Sequence, residues 1–178
     1  MYDKKLLETV KIAIGIEDKG YAVYKKTADK TNNPLVRSIF SELAARELEH
    51  KERFTQIYEQ FSGGEFDEEW LNYVSGDFDK KEMMTSIISN LSKQLAGLKI
   101  KKEKDTLKAY EVAMKLERES YDFYQKSADQ SGDPALKKFF LTIADEENEH
   151  YAILQESITY LENPADWFKE QERWIVEG

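Results

Sequence analysis

The chain has 178 residues and a formal net charge of -9, with 34% of its residues charged. That balance argues against nucleic acid or an anionic membrane as a partner, since either needs a basic face to offset its own charge. Cys is absent, so no disulfide, zinc-thiolate or iron-sulfur centre can form, and any metal must be held by oxygen and nitrogen ligands.

The 10 Tyr, 9 Phe and 3 Trp supply enough apolar bulk for one folded domain rather than a disordered chain. The segment Met1-Tyr2-Asp3-Lys4-Lys5 leads straight into an amphipathic pattern without the apolar stretch of a signal peptide. No apolar run approaches the length of a membrane span. The expectation is a cytoplasmic protein.

In chain order, residues 5–61 read as a helical hairpin. Leu7, Val10, Ile14, Glu17, Tyr21, Tyr24 and Ala28 recur at steps of three and four, the period of a helix with one inward face. Asn33 and Pro34 read as an N-cap and a first helical position. The next inward series is Val36, Phe40, Leu43, Glu47, His50, Phe54, Ile57 and Phe61, stopped by Ser62-Gly63-Gly64.

Residues 62–104 are expected to be a crossover carrying a short helix between Asp79 and Lys93, marked by Met83, Met84, Ile87, Ile88 and Leu91. The basic run Lys99 to Lys104 reads as a solvated helix start or loop. Residues 105–162 then repeat the first hairpin at an offset of 100. Leu107, Tyr110, Met114, Glu117, Tyr121, Tyr124 and Ala128 restate the first helix, Asp133 and Pro134 the cap, and Leu136, Phe140, Ile143, Glu147, His150, Leu154 and Leu161 the second helix. Two copies of a helical hairpin predict an all-α four-helix bundle in one domain. The connection between helices two and three is long enough to travel the length of the bundle. Residues 163–178, with Trp167, Phe168, Trp174 and Ile175, are expected to fold back on the bundle or on a second subunit.

Six ionisable residues stand where this pattern calls for apolar ones: Glu17, Glu47, His50, Glu117, Glu147 and His150. Glu47-Leu48-Glu49-His50 and Glu147-Asn148-Glu149-His150 each place a carboxylate and an imidazole on one helix face. All six fall midway along their helices, so they share one level of the bundle. Four buried carboxylates need a counter-charge. Two divalent cations would supply it, with the imidazoles completing the coordination. The competing explanations are salt bridges, although no Lys or Arg lies on the inward series near this level, and protonated Glu sharing hydrogen bonds with Tyr21, Tyr24, Tyr121 and Tyr124.

One Glu from each of two helices, with Glu-x-x-His from each of the other two, is the ligand set of ferritin-like di-iron and di-manganese carboxylate proteins. The sequence resembles that superfamily, and within it the rubrerythrin family, without a rubredoxin module. The resemblance covers both hairpins, and it implies that Glu17 and Glu117 are terminal or bridging ligands. Glu47 and Glu147 would be the bridges, with His50 and His150 each on one metal. Tyr24 and Tyr124 then become candidates to hydrogen-bond a ligand or relay an electron, or simply to pack in the core. Glu146 becomes a candidate acceptor for the second N–H of His50. Its repeat partner is Arg46, so the two metals need not be equivalent. Rubrerythrins usually carry a further carboxylate one turn after the third-helix Glu. Here that position is Ser120, with Gly20 as its repeat partner, which moves the site toward the six-residue set of bacterioferritin.

What the resemblance implies is a redox protein with two iron ions, or with manganese or a mixed pair. It would reduce hydrogen peroxide or dioxygen in oxidative-stress defence, with electrons from a separate donor protein. A ferroxidase that handles iron, or a bundle that binds metal without catalysis, are the alternatives. A homodimer is the expected assembly.

Overall fold

A computed structural model describes residues 4–63 and 104–162; the expected crossover helix and the C-terminal aromatic tail lie outside the described residues. Four α-helices account for nearly all of what is described: α1 Lys4–Lys30, α2 Pro34–Gly63, α3 Lys104–Gln130 and α4 Pro134–Glu162. Each hairpin turns within three residues. Asn33 Oδ1 accepts the backbone N–H of Leu35 (3.0 Å) and Val36 (3.3 Å), and Asp133 Oδ1 does the same for Ala135 (2.8 Å) and Leu136 (3.0 Å). A side-chain oxygen thus satisfies two backbone donors that the first helical turn leaves without partners, with proline at the following position.

α1 packs closely along α2 and α3 along α4, while the backbones of the two hairpins stand further apart. The core forms two separate clusters. One joins Tyr24 and Ala28 of α1 and Leu35 to Ala44 of α2 to Tyr110 and Ala113 of α3 and Ile153, Leu154 and Leu161 of α4. The other joins Val10 and Ala13, Phe54, Ile57 and Phe61 to Tyr124 and Ala128, Leu136, Phe139, Phe140, Ile143 and Ala144. The late part of α1 therefore meets the early part of α3, and α2 meets α4 in the same opposed sense, so both pairs are antiparallel. α2 ends beside the second cluster and α3 begins beside the first. These ends lie at opposite ends of a bundle about 40 Å long, as a long crossover requires.

The inward faces of α1 and α3 differ in detail from the expected series. Leu7, Ile14, Tyr21, Leu107, Met114 and Tyr121 are only half-buried, while Ala13, Gly20, Ala113 and Ser120 are buried. Small residues mark the line of closest approach between helices, and the larger ones flank it and cover the clusters. Among the described residues no helix is long and apolar enough to cross a membrane.

The second cluster is the more aromatic. Phe54 stacks on Tyr124 at 5.3 Å and meets Phe139 edge-on at 5.2 Å. Replacing Phe54 with Ala is expected to cost about 3–5 kcal/mol, and Asp133→Ala about 1 kcal/mol through its cap, both read from urea unfolding midpoints at constant slope.

Candidate metal centre

Between the two apolar clusters lies one layer of ionisable side chains. Glu17 comes from α1, Glu47 and His50 from α2, Glu117 from α3, and Glu147 and His150 from α4, and none is more than 3% exposed. Their donor atoms fall into two groups. Atoms of Glu17, Glu47, His50 and Glu147 lie within 4.8 Å of one another, and so do atoms of Glu47, Glu117, Glu147 and His150. Glu47 and Glu147 belong to both. His50 Nδ1 sits 3.0 Å from Glu147 Oε1 and 3.3 Å from Glu17 Oε2. His150 Nδ1 faces Glu47 Oε1 at 3.5 Å and Glu117 Oε2 at 3.7 Å. The two imidazoles stack at 5.5 Å with 14° between their planes.

The donor set fits a pair of cations. Glu17 Oε2, Glu47 Oε1, both oxygens of Glu147 and His50 Nδ1 are buried and make no hydrogen bond. They have given up water and face only the carboxylates and imidazoles of the layer itself, which costs several kcal/mol in sum. Among the described residues no Lys or Arg forms an ion pair with any of the four Glu. The salt-bridge alternative therefore finds no support there.

Without a cation the layer must take up protons. Burial pushes Glu47 up, and the neighbouring Glu17 and Glu117 charges push it further; Glu147 rises by burial and by Glu47, Glu17 and Glu117. For His50, burial opposes charging, yet contacts with Glu146, Glu147 and Glu17 raise it well above the usual imidazole range. His150 is raised against burial by Glu117, which is itself lowered against burial by the same imidazole.

The tyrosines join the hairpins. Tyr24 donates its hydroxyl to Glu117 Oε1, and Tyr124 donates to Glu17 Oε1. Each therefore serves the carboxylate of the opposite helix: a helical side chain leans toward its own N-terminus, so Tyr24 and Tyr124, two turns past Glu17 and Glu117, reach back to the layer from the apolar clusters on either side of it. Each of these Glu uses one oxygen to accept from Tyr and turns the second into the layer. Burial, followed by the facing carboxylate, raises both phenols, so they stay protonated and donating. Tyr21 and Tyr121 do not take part and pack against the two clusters.

A family model for rubrerythrin matches residues 8–158, a span that includes most of both hairpins and all six ionisable residues of the layer. The chain belongs to the rubrerythrin family. Searches of curated proteins and of solved structures return no match. Rubrerythrin domains are ferritin-like di-iron domains, and the layer described here stands at mid-bundle with the composition such a domain needs.

This rubrerythrin domain departs from a strict duplication in its immediate surroundings. His50 Nε2 lies 2.6 Å from Glu146 Oε2, and Arg53 Nη1 reaches the same carboxylate at 3.0 and 3.2 Å. Glu146 is lowered to about 2: burial works against its ionisation, and the hydrogen bond and charge of His50, then Arg53, more than offset it. Arg53 was not legible as a site residue, because it lies off the inward series. The one signal was a mismatch between the repeats, with Ile153 at the equivalent position.

Gly20 is the second residue that periodicity overlooks. A Cβ there would stand 2.9 Å from Glu47 Cδ and 3.3 Å from its Cγ, and closer still to Oε2, so the missing side chain is the space that the Glu47 carboxylate occupies. The buried residue at the equivalent position in α3 is Ser120.

Two outcomes follow from this geometry. Gly20→Ala should shift Glu47 and weaken metal uptake at least about tenfold. Its metal-free stability should change by less than about 2 kcal/mol, since better helix propensity offsets some crowding; metal titration beside thermal unfolding tests this. The second concerns pH. Glu47, Glu147, His50 and His150 are raised on folding, so their contribution is fully present below the ordinary values of 4.5 and 6.5 and is lost as pH rises through the raised ones. The lowered Glu117 and Glu146 act oppositely, but only below 4.5. In chelator, the unfolding temperature should therefore fall from about pH 5 to pH 8. The slope should be shallower in the Glu47→Gln/Glu147→Gln variant.

Proposed function

We propose that the buried layer holds two iron ions and that the protein uses them to reduce hydrogen peroxide, or dioxygen, to water. The observation that carries this reading is the division of the donor atoms into two groups that share Glu47 and Glu147. On this reading Glu17 and His50 would hold one ion and Glu117 and His150 the other, with Glu47 and Glu147 available to both. Oxygen and imidazole donors also suit manganese, which metal analysis of the purified protein distinguishes. The chemistry such a pair supplies is two one-electron oxidations, matched to H2O2 + 2 H+ + 2 e− giving two waters.

The protein's own part is to hold and enclose. Tyr24 and Tyr124 fix one oxygen of Glu117 and of Glu17, so each carboxylate offers its other oxygen in a set direction. The apolar clusters on either side limit the entry of water. Six residues, even with shared carboxylates, do not fill two octahedral coordination shells, which leaves room for a small oxidant. The chain has no Cys for an iron-sulfur or rubredoxin-type centre, so a separate protein is proposed as the one-electron donor.

A specific observation also favours ferroxidase chemistry as a second reading. Gly20 and Ser120 leave the site without the additional carboxylate that rubrerythrins usually bear, and the space at Gly20 is taken by Glu47. Anaerobic loading with two Fe(II) per chain, then rapid mixing with peroxide and with dioxygen, separates the two through the near-ultraviolet absorption of the oxidised centre. Faster oxidation by peroxide is the expected result, and the reverse order selects the ferroxidase. Glu47→Ala and His150→Ala should each lose stoichiometric iron and peroxide turnover together. Retention of both in either variant would overturn the metal reading.

A further inference from the structure

The layer is built from a duplicated hairpin, yet its two histidines are held differently. His50 points Nδ1 into the layer and sets Nε2 against Glu146 on α4, 2.6 Å away. Arg53, one turn along α2 from His50, reaches Glu146 from the other side. Glu146 is 3% exposed and His50 fully buried, while Arg53, 23% exposed, closes this three-membered chain between α2 and α4 at its outer end. The positions that would build the same chain around His150 are occupied by Arg46 and Ile153. Arg46 turns to Glu42 and Glu49 on its own helix, at 3.4 and 3.0 Å, and Ile153 is fully buried in the first apolar cluster. Neither can offer a carboxylate to an imidazole.

We propose that Glu146 and Arg53 are positioning residues for one half of the site only, so that they set the affinity for the ion bound through His50 and leave the ion bound through His150 unaffected. The inference rests on the reading of the layer as a two-metal site. Its physical basis is the direction of the hydrogen bond. An imidazole that donates through Nε2 has its lone pair on Nδ1, the atom that faces Glu17 and Glu147. Glu146 thus selects the tautomer, fixes the ring plane and makes Nδ1 more electron-rich, while Arg53 fixes Glu146. Carboxylates in this role contribute about 10–100-fold to metal affinity.

The test is a titration of metal-free protein with Co(II), followed by visible absorption and by calorimetry. Wild type should take two ions per chain. Glu146→Ala should weaken one of the two steps by about 10–100-fold and leave the other in place. Glu146→Gln, which keeps an oxygen acceptor for Nε2–H, should recover part of that loss. Arg53→Met should act in the same direction with a smaller effect, and the repeat-equivalent Arg46→Met should change neither step.

The decisive arm is a double-mutant cycle. In a His50→Ala background, Glu146→Ala should cost nothing further, which a purely structural role would not give. Circular dichroism and thermal unfolding of each metal-free variant check the fold. If Glu146→Ala does not fold, the Gln and Arg53→Met variants carry the same comparison. Equal weakening of both steps, an equal effect of Arg46→Met, or an undiminished Glu146→Ala cost without His50 would each overturn the proposal. Wild-type protein that takes up no Co(II), Fe(II) or Mn(II) would instead overturn the two-metal reading beneath it.

Discussion

Four carboxylates and two imidazoles share one layer at mid-bundle, and an apolar cluster closes that layer on each side. Like charges this close and this far from water raise one another's proton affinity, and the layer cannot remain fully ionised without a counter-charge. Several of its atoms are also left without hydrogen bonds. Apolar side chains at these six positions would make a more stable bundle. The arrangement makes physical sense as a place for cations, and the fold supplies the rest of its stability from the two clusters.

The layer is also where the hairpins are joined. Within each hairpin the helices pack closely, and across the hairpins contacts at this level add to the ring contacts of the two apolar clusters. Those at this level are the two Tyr–Glu hydrogen bonds between α1 and α3, and the stacked imidazoles with the Glu146 bridge between α2 and α4. Site geometry and hairpin docking are therefore coupled through these side chains, with the clusters supplying the apolar part of the docking. Just outside it, each hairpin is tied internally at equivalent positions by unlike chemistry: Lys51 pairs with Asp18, whereas Arg118 lies over the ring of Tyr151 at 5.0 Å. Both are cation contacts, so the duplicated hairpins keep the function of the tie while changing its partners.

Family membership and local structure bear on different levels of the functional question. The rubrerythrin family supports a di-iron domain, and the layer has the residues for one. The choice between the two reactions proposed for it turns on finer features, among them the lack of a further carboxylate at Ser120 and the use of the Gly20 space by Glu47. In this chain the positions one turn past Glu17 and Glu117 are Gly20 and Ser120, and neither offers a carboxylate.

Much of this was legible in the amino-acid sequence, for reasons that are local. A period of three and four residues marks a helix because side chains that share a face must share an environment, and a Glu or His on an apolar face stands out against it. The offset of 100 between Glu17, Glu47, His50 and their counterparts placed all six at one level, and Asn33 and Asp133 announced the hairpin turns by their own capping chemistry. What only the tertiary structure decided depends on how helices face one another. Periodicity could not choose between adjacent lines of one helix surface, so Ile14 and Tyr21 stood in for Ala13 and Gly20 until the close approach of α2 selected the small residues. Nor could it assign Tyr24 to Glu117 or Arg53 to Glu146, because those pairings follow from the antiparallel run of α1 with α3 and of α2 with α4. A single helix carries no record of its neighbour's direction.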